Sequence, residues 1–212
     1  MKRTLDIALT ISAIPILAPL LVIVAILIYF DLGRPIFFTQ KRAGKNGKPF
    51  HIIKFRTMRY GSNKHETQLT DAERQTKLSR LLRASSLDEL PELWNVLIGD
   101  MSLVGPRPLL LNYLPLYTKH QNRRHEVQPG ITGWAQINGR NLLTWEERFE
   151  LDVWYVDNRS LLLDFSILVK TISKVVYREG INTSTDSSMP EFTGSRQKSH
   201  SFLIPSEGKR TK

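Results

Sequence analysis

The segment Ile7–Phe30 restricts the fold more than any other part of the chain. It is 24 residues long and almost wholly apolar, interrupted only by Thr10, Ser12, Pro15 and Pro19. A helix of that length is long enough to cross the ~30 Å hydrocarbon core of a bilayer. No small-residue cleavage site follows the apolar run, so it does not read as a removable secretory signal. Two features argue against a simple crossing. Lys2 and Arg3 precede the run, and Arg34, Lys41 and Arg42 follow it, so the charge rule places both ends on the cytoplasmic side. Pro15 and Pro19 also remove the partners of the Ile11 and Pro15 carbonyls, which is a natural place to break a helix. The expected form is a re-entrant helix-break-helix hairpin over residues 1–33 that dips into one leaflet; a kinked spanning helix is the alternative. Thr10 and Ser12 are the nearby groups for the freed carbonyls.

Behind that segment lies enough chain for one sizeable domain, expected over residues 34–182, followed by a basic tail over 183–212 that reads as disordered. The chain of 212 residues has no cysteine, which excludes a disulfide scaffold and a thiolate metal centre. A formal charge of +10 points to an anionic partner: nucleic acid, acidic lipid or a phosphorylated substrate. No stacking-aromatic pattern or helix-turn-helix signal supports nucleic acid, which is not expected as a partner. A non-catalytic basic membrane adaptor remains as a competing class.

Pro35–Gln40 and Phe50–Phe55 read as two short strands around an Asn46-Gly47 turn. Lys54 and Arg56 alternate at the end of the second strand, spaced to reach a phosphate from one face or to form a solvated edge. Residues 60–80 read as a loop and a surface helix. Thr144-Trp-Glu-Glu147 is a capping box that opens a helix to about Asn158, and Leu161–Tyr177 reads as another. Asp164, set among leucines, either faces solvent or is buried with a cation or metal. Leu109–Tyr117 is a greasy run suited to a core or to the membrane interface. Glycines 130, 133 and 139 mark tight turns or a close approach to a ligand. The fold class is α+β and mostly helical: a re-entrant hairpin, a β-hairpin, and amphipathic interfacial helices around one site.

The chemistry concentrates between Arg83 and Pro108. Asp88 and Glu89 adjoin at the start of a short amphipathic helix, with Leu90, Leu93, Trp94, Leu97 and Ile98 at helical spacing and Gly99 at its end. Pro91 suits a first turn. The pattern places Asp88 or a near neighbour at the N-cap, where the helix dipole keeps a carboxylate ionised. Ser86-Leu-Asp-Glu89 fits a purely structural capping box equally well.

Taken in order, several pieces resemble the bacterial sugar transferases, specifically the small monotopic phosphoglycosyl transferases of the diacetylbacillosamine type. They are Lys2-Arg-x-x-Asp6, the Pro-interrupted apolar run, Pro35-Ile-Phe-Phe-Thr-Gln40, Lys54-Phe-Arg-Thr-Met58, Ser86-Leu-Asp-Glu-Leu-Pro91, Gly99–Pro108 and Pro129-Gly-Ile-Thr-Gly-Trp-Ala-Gln136. Arg123–Val127 and Phe149–Asp152 carry the bacillosamine-type likeness. One departure is Ala18-Pro19, where the family commonly has Ser-Pro. The resemblance implies a bacterial inner-membrane enzyme facing the cytoplasm. It implies transfer of a sugar 1-phosphate from a UDP-sugar to undecaprenyl phosphate, with release of UMP, through a covalent aspartyl intermediate. It also implies that Asp88 is the nucleophile, that Mg²⁺ is held by Asp88 and Glu89, and that Arg83, Lys54, Arg56, Arg107, Arg140 and Asp164 bind substrate or support the site. A hexose or N-acetylhexosamine donor is the alternative to a bacillosamine-like sugar.

Overall fold

Lys2–Leu32 forms one α-helix, α1. It belongs to a computed structural model that describes residues 1–60, 70, 73–139, 143–177 and 191–195. The break expected at Pro15 and Pro19 is not an interruption, because the helix runs through both prolines. Ser12 Oγ donates to the Ala8 carbonyl and so does not serve the freed carbonyls. The apolar length is as expected, and much of it is uncovered: Ile11, Ile16, Val22, Ile23, Ile26 and Phe30 are all exposed.

Both ends of α1 are clasped by the rest of the molecule. At the N-terminus Lys2 Nζ donates to Asp164 Oδ2 at 2.6 Å, and Arg3 donates to the Val96 and Leu97 carbonyls at 2.5 and 2.8 Å. Asp6 accepts from Ser102 Oγ at 2.8 Å and from Leu103 N at 3.3 Å. At the C-terminus Arg56 donates to the Leu32 and Gly33 carbonyls, and Thr76 Oγ1 donates to Asp31. Cations that cap the last carbonyls of a helix answer both the unpaired acceptors and the negative end of the dipole.

The strands sit close to their expected places. β1 (Phe37–Ala43) pairs antiparallel with β2 (Pro49–Phe55), from Phe37↔Phe55 to Ala43↔Pro49. Asn46 at φ 56° and Gly47 at φ 71° make the reversal, as an Asn-Gly pair readily does. α2 (Lys77–Ala84) starts at Thr76, whose hydroxyl accepts from Ser79 N. A 3₁₀ turn, Leu87–Glu89, then leads to α3 (Glu92–Ile98). Asn95, fully buried on α3, accepts from Ile53 N and donates to the His51 carbonyl, which locks α3 onto β2.

β3 (Ser102–Val104) pairs in parallel with β4 (Gly130–Thr132). A Cβ on Gly130 would lie 2.0 Å from Gly105 N, and one on Gly133 would lie 2.1 Å from Gly105 O. These glycines allow two turns to pack backbone on backbone, not a ligand to approach. Between the strands lie a 3₁₀ run (Leu111–Leu116) and α4 (Lys119–Asn122). Leu109 and Tyr113 from the greasy run are core residues, whereas Leu116 is partly exposed.

The chain closes with α5 (Trp134–Ile137), α6 (Trp145–Asn158) and α7 (Leu161–Tyr177). The Thr144–Glu147 capping box forms in both directions. Val104, Val127, Ile137, Tyr155 and Ile167 fill the core beneath β3 and β4. A second core of Val24, Ile28, Phe55 and Leu82 joins α1 to β2 and α2. α7 leaves Leu161, Leu162, Phe165, Val169 and Ile172 exposed at helical spacing, and α3 does the same with Trp94 and Ile98. Of the tail expected over 183–212, only residues 191–195 are among the described residues. Residues 191–195 lie against the domain, and Phe192 is only 4% exposed.

Candidate active site

Asp88 does not sit at the N-cap of α3; that position is Pro91, and Asp88 lies in the preceding 3₁₀ turn. The capping box is not formed either. Ser86 adopts a left-handed conformation (φ 56°) and its side chain makes no capping bond, and the Glu89 carboxylate is engaged elsewhere. Lys54 Nζ donates to it at 2.6 Å, and Arg107 donates with both terminal nitrogens at 2.5 and 3.3 Å. This fork-to-fork geometry orients the carboxylate as well as neutralising it. Lys54 also lies 3.1 Å from Glu92, a nearly fully buried acid whose Oε1 has no hydrogen-bond partner of good geometry.

The three acids differ through their surroundings. Burial, and then the charge of Glu89 beside it, push the Asp88 carboxyl up to about 6, against the pull of Lys54, Arg107 and Arg83. Against the penalty of its own burial, Arg107 and Lys54 hold Glu89 far below the usual carboxylate range. Burial, followed by Glu89, raises Glu92 to about 7. Asp88 is therefore ionised at neutral pH, but less comfortably than a helix-capping acid. It carries no hydrogen bond among the described residues and is largely buried, at 9% exposure, so its oxygens are unpaired.

The expected site residues fall into two groups. Asp88, Glu89, Lys54 and Arg107 come together, and Arg83, exposed at the end of α2, adds its charge at Asp88. Arg56 does not join Lys54; it is 5% exposed and spent on the C-terminal carbonyls of α1. Asp164 takes the buried, paired option: it accepts from Lys2 and from Tyr155 Oη at 2.6 Å and so pins the start of α1 to α6 and α7. Arg140 lies outside the described residues.

Four contributors escaped the sequence reading. Glu92 is one, and its signal was its i,i+3 spacing from Glu89, which puts both acids on one helical face. Asn95 is the lock described above. Arg42 lies near Arg107, Glu92 and Glu89, and burial followed by Arg107 lowers its guanidinium. Arg124 forms a fully buried pair with Asp152 at 2.7 Å and donates to the Arg107 carbonyl at 2.7 Å, which fixes the backbone that carries Arg107.

Mg²⁺ is held by oxygen donors and typically takes one or two carboxylates with waters and substrate phosphates. The open oxygens of Asp88 suit that donor set. At Glu89, Oε1 is taken by Lys54 and Arg107, while Oε2 meets only Arg107 Nη1, at 3.3 Å, and keeps lone pairs of its own. Among the described residues no group of three or more acids or histidines is placed to hold a metal by itself.

Residues 1–178 match the bacterial sugar transferase family. The chain belongs to that family. It is 51% identical over 195 residues to the uncharacterized sugar transferase EpsL of Bacillus subtilis, covering 92% of this chain and 96% of that protein. It is 40% identical over 187 residues to the UDP-glucose:undecaprenyl-phosphate glucose-1-phosphate transferase of Xanthomonas campestris pv. campestris, covering 82% of this chain and 38% of the relative. It is 38% identical over 183 residues to the UDP-N-acetylgalactosamine-undecaprenyl-phosphate N-acetylgalactosaminephosphotransferase of Aeromonas hydrophila, covering 82% and 43%. The sugar transferase chain thus spans nearly all of EpsL but less than half the length of these two named enzymes. In a sugar transferase, this arrangement offers an open carboxylate beside a cation-locked one. Such a pair can present a nucleophile to a phosphorus while Lys54, Arg107 and Arg83 offset the negative charge gathering there.

Proposed function

We propose that this chain transfers a sugar 1-phosphate from a UDP-sugar to undecaprenyl phosphate and releases UMP, with Asp88 as the nucleophile. An Asp88 Oδ attacks the sugar-bearing phosphorus, and the bond from that phosphorus to the bridging oxygen breaks with its electron pair leaving on UMP. A phosphate oxygen of undecaprenyl phosphate then attacks the same phosphorus. The acyl-phosphate bond breaks, Asp88 regains its carboxylate, and a lipid-linked diphosphosugar leaves. Mg²⁺ bound at Asp88 with the donor diphosphate would neutralise negative charge. Glu89 acts from behind: held by Lys54 and Arg107, it keeps both cations beside the reacting phosphate and helps keep the Asp88 carboxyl near 6.

The single observation that carries this reading is the contrast between neighbours, with Glu89 locked by two cations and Asp88 left open beside them. The clasped ends of α1 support a monotopic placement on the cytoplasmic face of the inner membrane. Both ends lie on one domain, while the apolar middle and the exposed faces of α3 and α7 need lipid to cover them. A non-catalytic adaptor would have no need of the Lys54–Glu89–Arg107 arrangement.

For the donor, the relatives' names favour a hexose or an N-acetylhexosamine. The bacillosamine-like donor expected first from the sequence drew on Arg123–Val127 and Phe149–Asp152, yet Arg124, Phe149 and Asp152 are buried packing residues here. A panel of UDP-sugars, including UDP-glucose, UDP-galactose, UDP-N-acetylgalactosamine and a UDP-diacetylbacillosamine, with UMP release as readout, tests the reaction and separates the donors. Asp88→Asn should lower turnover by on the order of a thousandfold or more. With donor alone, the peptide carrying Asp88 should gain the mass of a phospho-sugar. Near-wild-type turnover by the Asn variant would remove Asp88 as nucleophile.

A further inference from the structure

Phe192 lies 14 residues beyond the stretch that matches the family, yet it sits in an aromatic box. Its ring meets Phe149 at 5.0 Å, Trp145 at 5.6 Å, Tyr113 at 5.7 Å and Tyr117 at 5.8 Å between centroids. Phe192 N donates to Tyr113 Oη at 3.3 Å. Three residues on, Ser195 Oγ accepts from Gln121 Nε2 at 2.7 Å and lies 3.2 Å from Glu146 Oε1. The segment is therefore held at two points by side chains of three different elements.

Two walls of the box connect to the active site. The Arg124 guanidinium lies over the rings of Phe149 and Tyr117, at 5.6 and 5.9 Å. Asp152 grips Arg124 from α6, and Arg124 in turn holds the Arg107 carbonyl. Arg107 then forks onto Glu89, next to Asp88. We propose that Phe192 is a positioning residue for the transfer reaction: by filling the box it fixes the rings that seat Arg124, and so the backbone from which Arg107 reaches Glu89. This inference rests on the reaction proposed above. It assigns the C-terminal segment a place in the catalytic apparatus as an intramolecular ligand whose recognition element is one phenyl ring and one hydroxyl.

The test uses the full chain in detergent or nanodiscs with undecaprenyl phosphate and the UDP-sugar that the wild type turns over fastest. Phe192→Ala should lower kcat by about tenfold or more, with a smaller change in donor KM, because displacement of a group far from the reacting atoms is felt as misplacement. Phe192→Leu should recover much of the loss. A synthetic peptide spanning residues 190–195, added to the Phe192→Ala protein, should raise kcat, and the same peptide with alanine at its phenylalanine should not. Unchanged kcat and KM in Phe192→Ala, even with a lower melting temperature, would reduce the segment to a structural tether and overturn the proposal. A wild-type protein that releases no UMP from any donor would instead defeat the reaction assignment. Binding of the labelled peptide to Phe192→Ala protein would then still report whether the box recognises the segment.

Discussion

Asp88 differs from its neighbour less by position than by what surrounds it. Glu89 has two cations within hydrogen-bond distance, whereas Asp88 has burial, a like charge and no direct partner among the described residues. A carboxyl raised from 3.8 unfolded to about 6 folded favours its protonated form in the native state. The associated cost is absent below the unfolded value, grows as pH rises toward 6, and is complete above it. Asp88→Asn should therefore stabilise the protein by about 3 kcal/mol at pH 8 and by very little at pH 4, measured by denaturant unfolding in detergent with EDTA present. The same substitution should cut turnover by on the order of a thousandfold or more, so stability and activity move in opposite directions at one atom. In the wild type, UMP release should climb as pH rises through about 6, since only the carboxylate attacks. A flat profile from pH 5 to 7.5 would contradict that.

At the scale of elements, the site depends on a junction between a strand and a short helix. Seven residues of α3 have little stability of their own. The Asn95 amide supplies what the helix lacks, taking the Ile53 N–H and giving to the His51 carbonyl. Asn95→Ala leaves two backbone groups of β2 unpaired in a buried place and should cost about 1–3 kcal/mol, read from the denaturation midpoint. Because β2 carries Lys54, activity should fall along with stability. The C-terminal turn of α3 is also held by Arg3 on the Val96 and Leu97 carbonyls. Arg3→Ala should loosen α1 from α3 and speed proteolysis near the N-terminus, while leaving the β1–β2 pairing intact. Cleavage kinetics equal to wild type would show that the contact contributes nothing.

Across the whole molecule, α1 behaves as a handle gripped at both ends. Lys2, Arg3 and Asp6 hold one end, and Arg56 and Thr76 hold the other. A helix that crossed the bilayer would place those ends on opposite sides, out of reach of one domain. The chain has no native cysteine, so Thr4→Cys and Lys45→Cys, each at an exposed position, can be labelled singly with an impermeant maleimide. Both should react from the same side of right-side-out or inverted vesicles. Labelling from opposite sides would refute the monotopic arrangement.

The apolar N-terminal helix, the Asn-Gly hairpin and the helices opening at Thr144 and Leu161 were legible from the chain alone, because each rests on local periodicity or on a cap within a few residues. The adjacent acids were legible too, and the structure brings Lys54 and Arg107, also named from the sequence, against Glu89. The use made of each charge was not. Arg56 and Lys54 share one strand face by alternation, yet the first caps α1 and the second grips Glu89. Asp164 pairs with Lys2 across 162 residues, and Phe192 finds its box from a tail that reads as disorder. A short window of sequence shows where a charge lies along its own element, but its partner arrives from a distant segment. Only the packed chain decides which faces meet, and with them which carboxylate is neutralised and which is left to react.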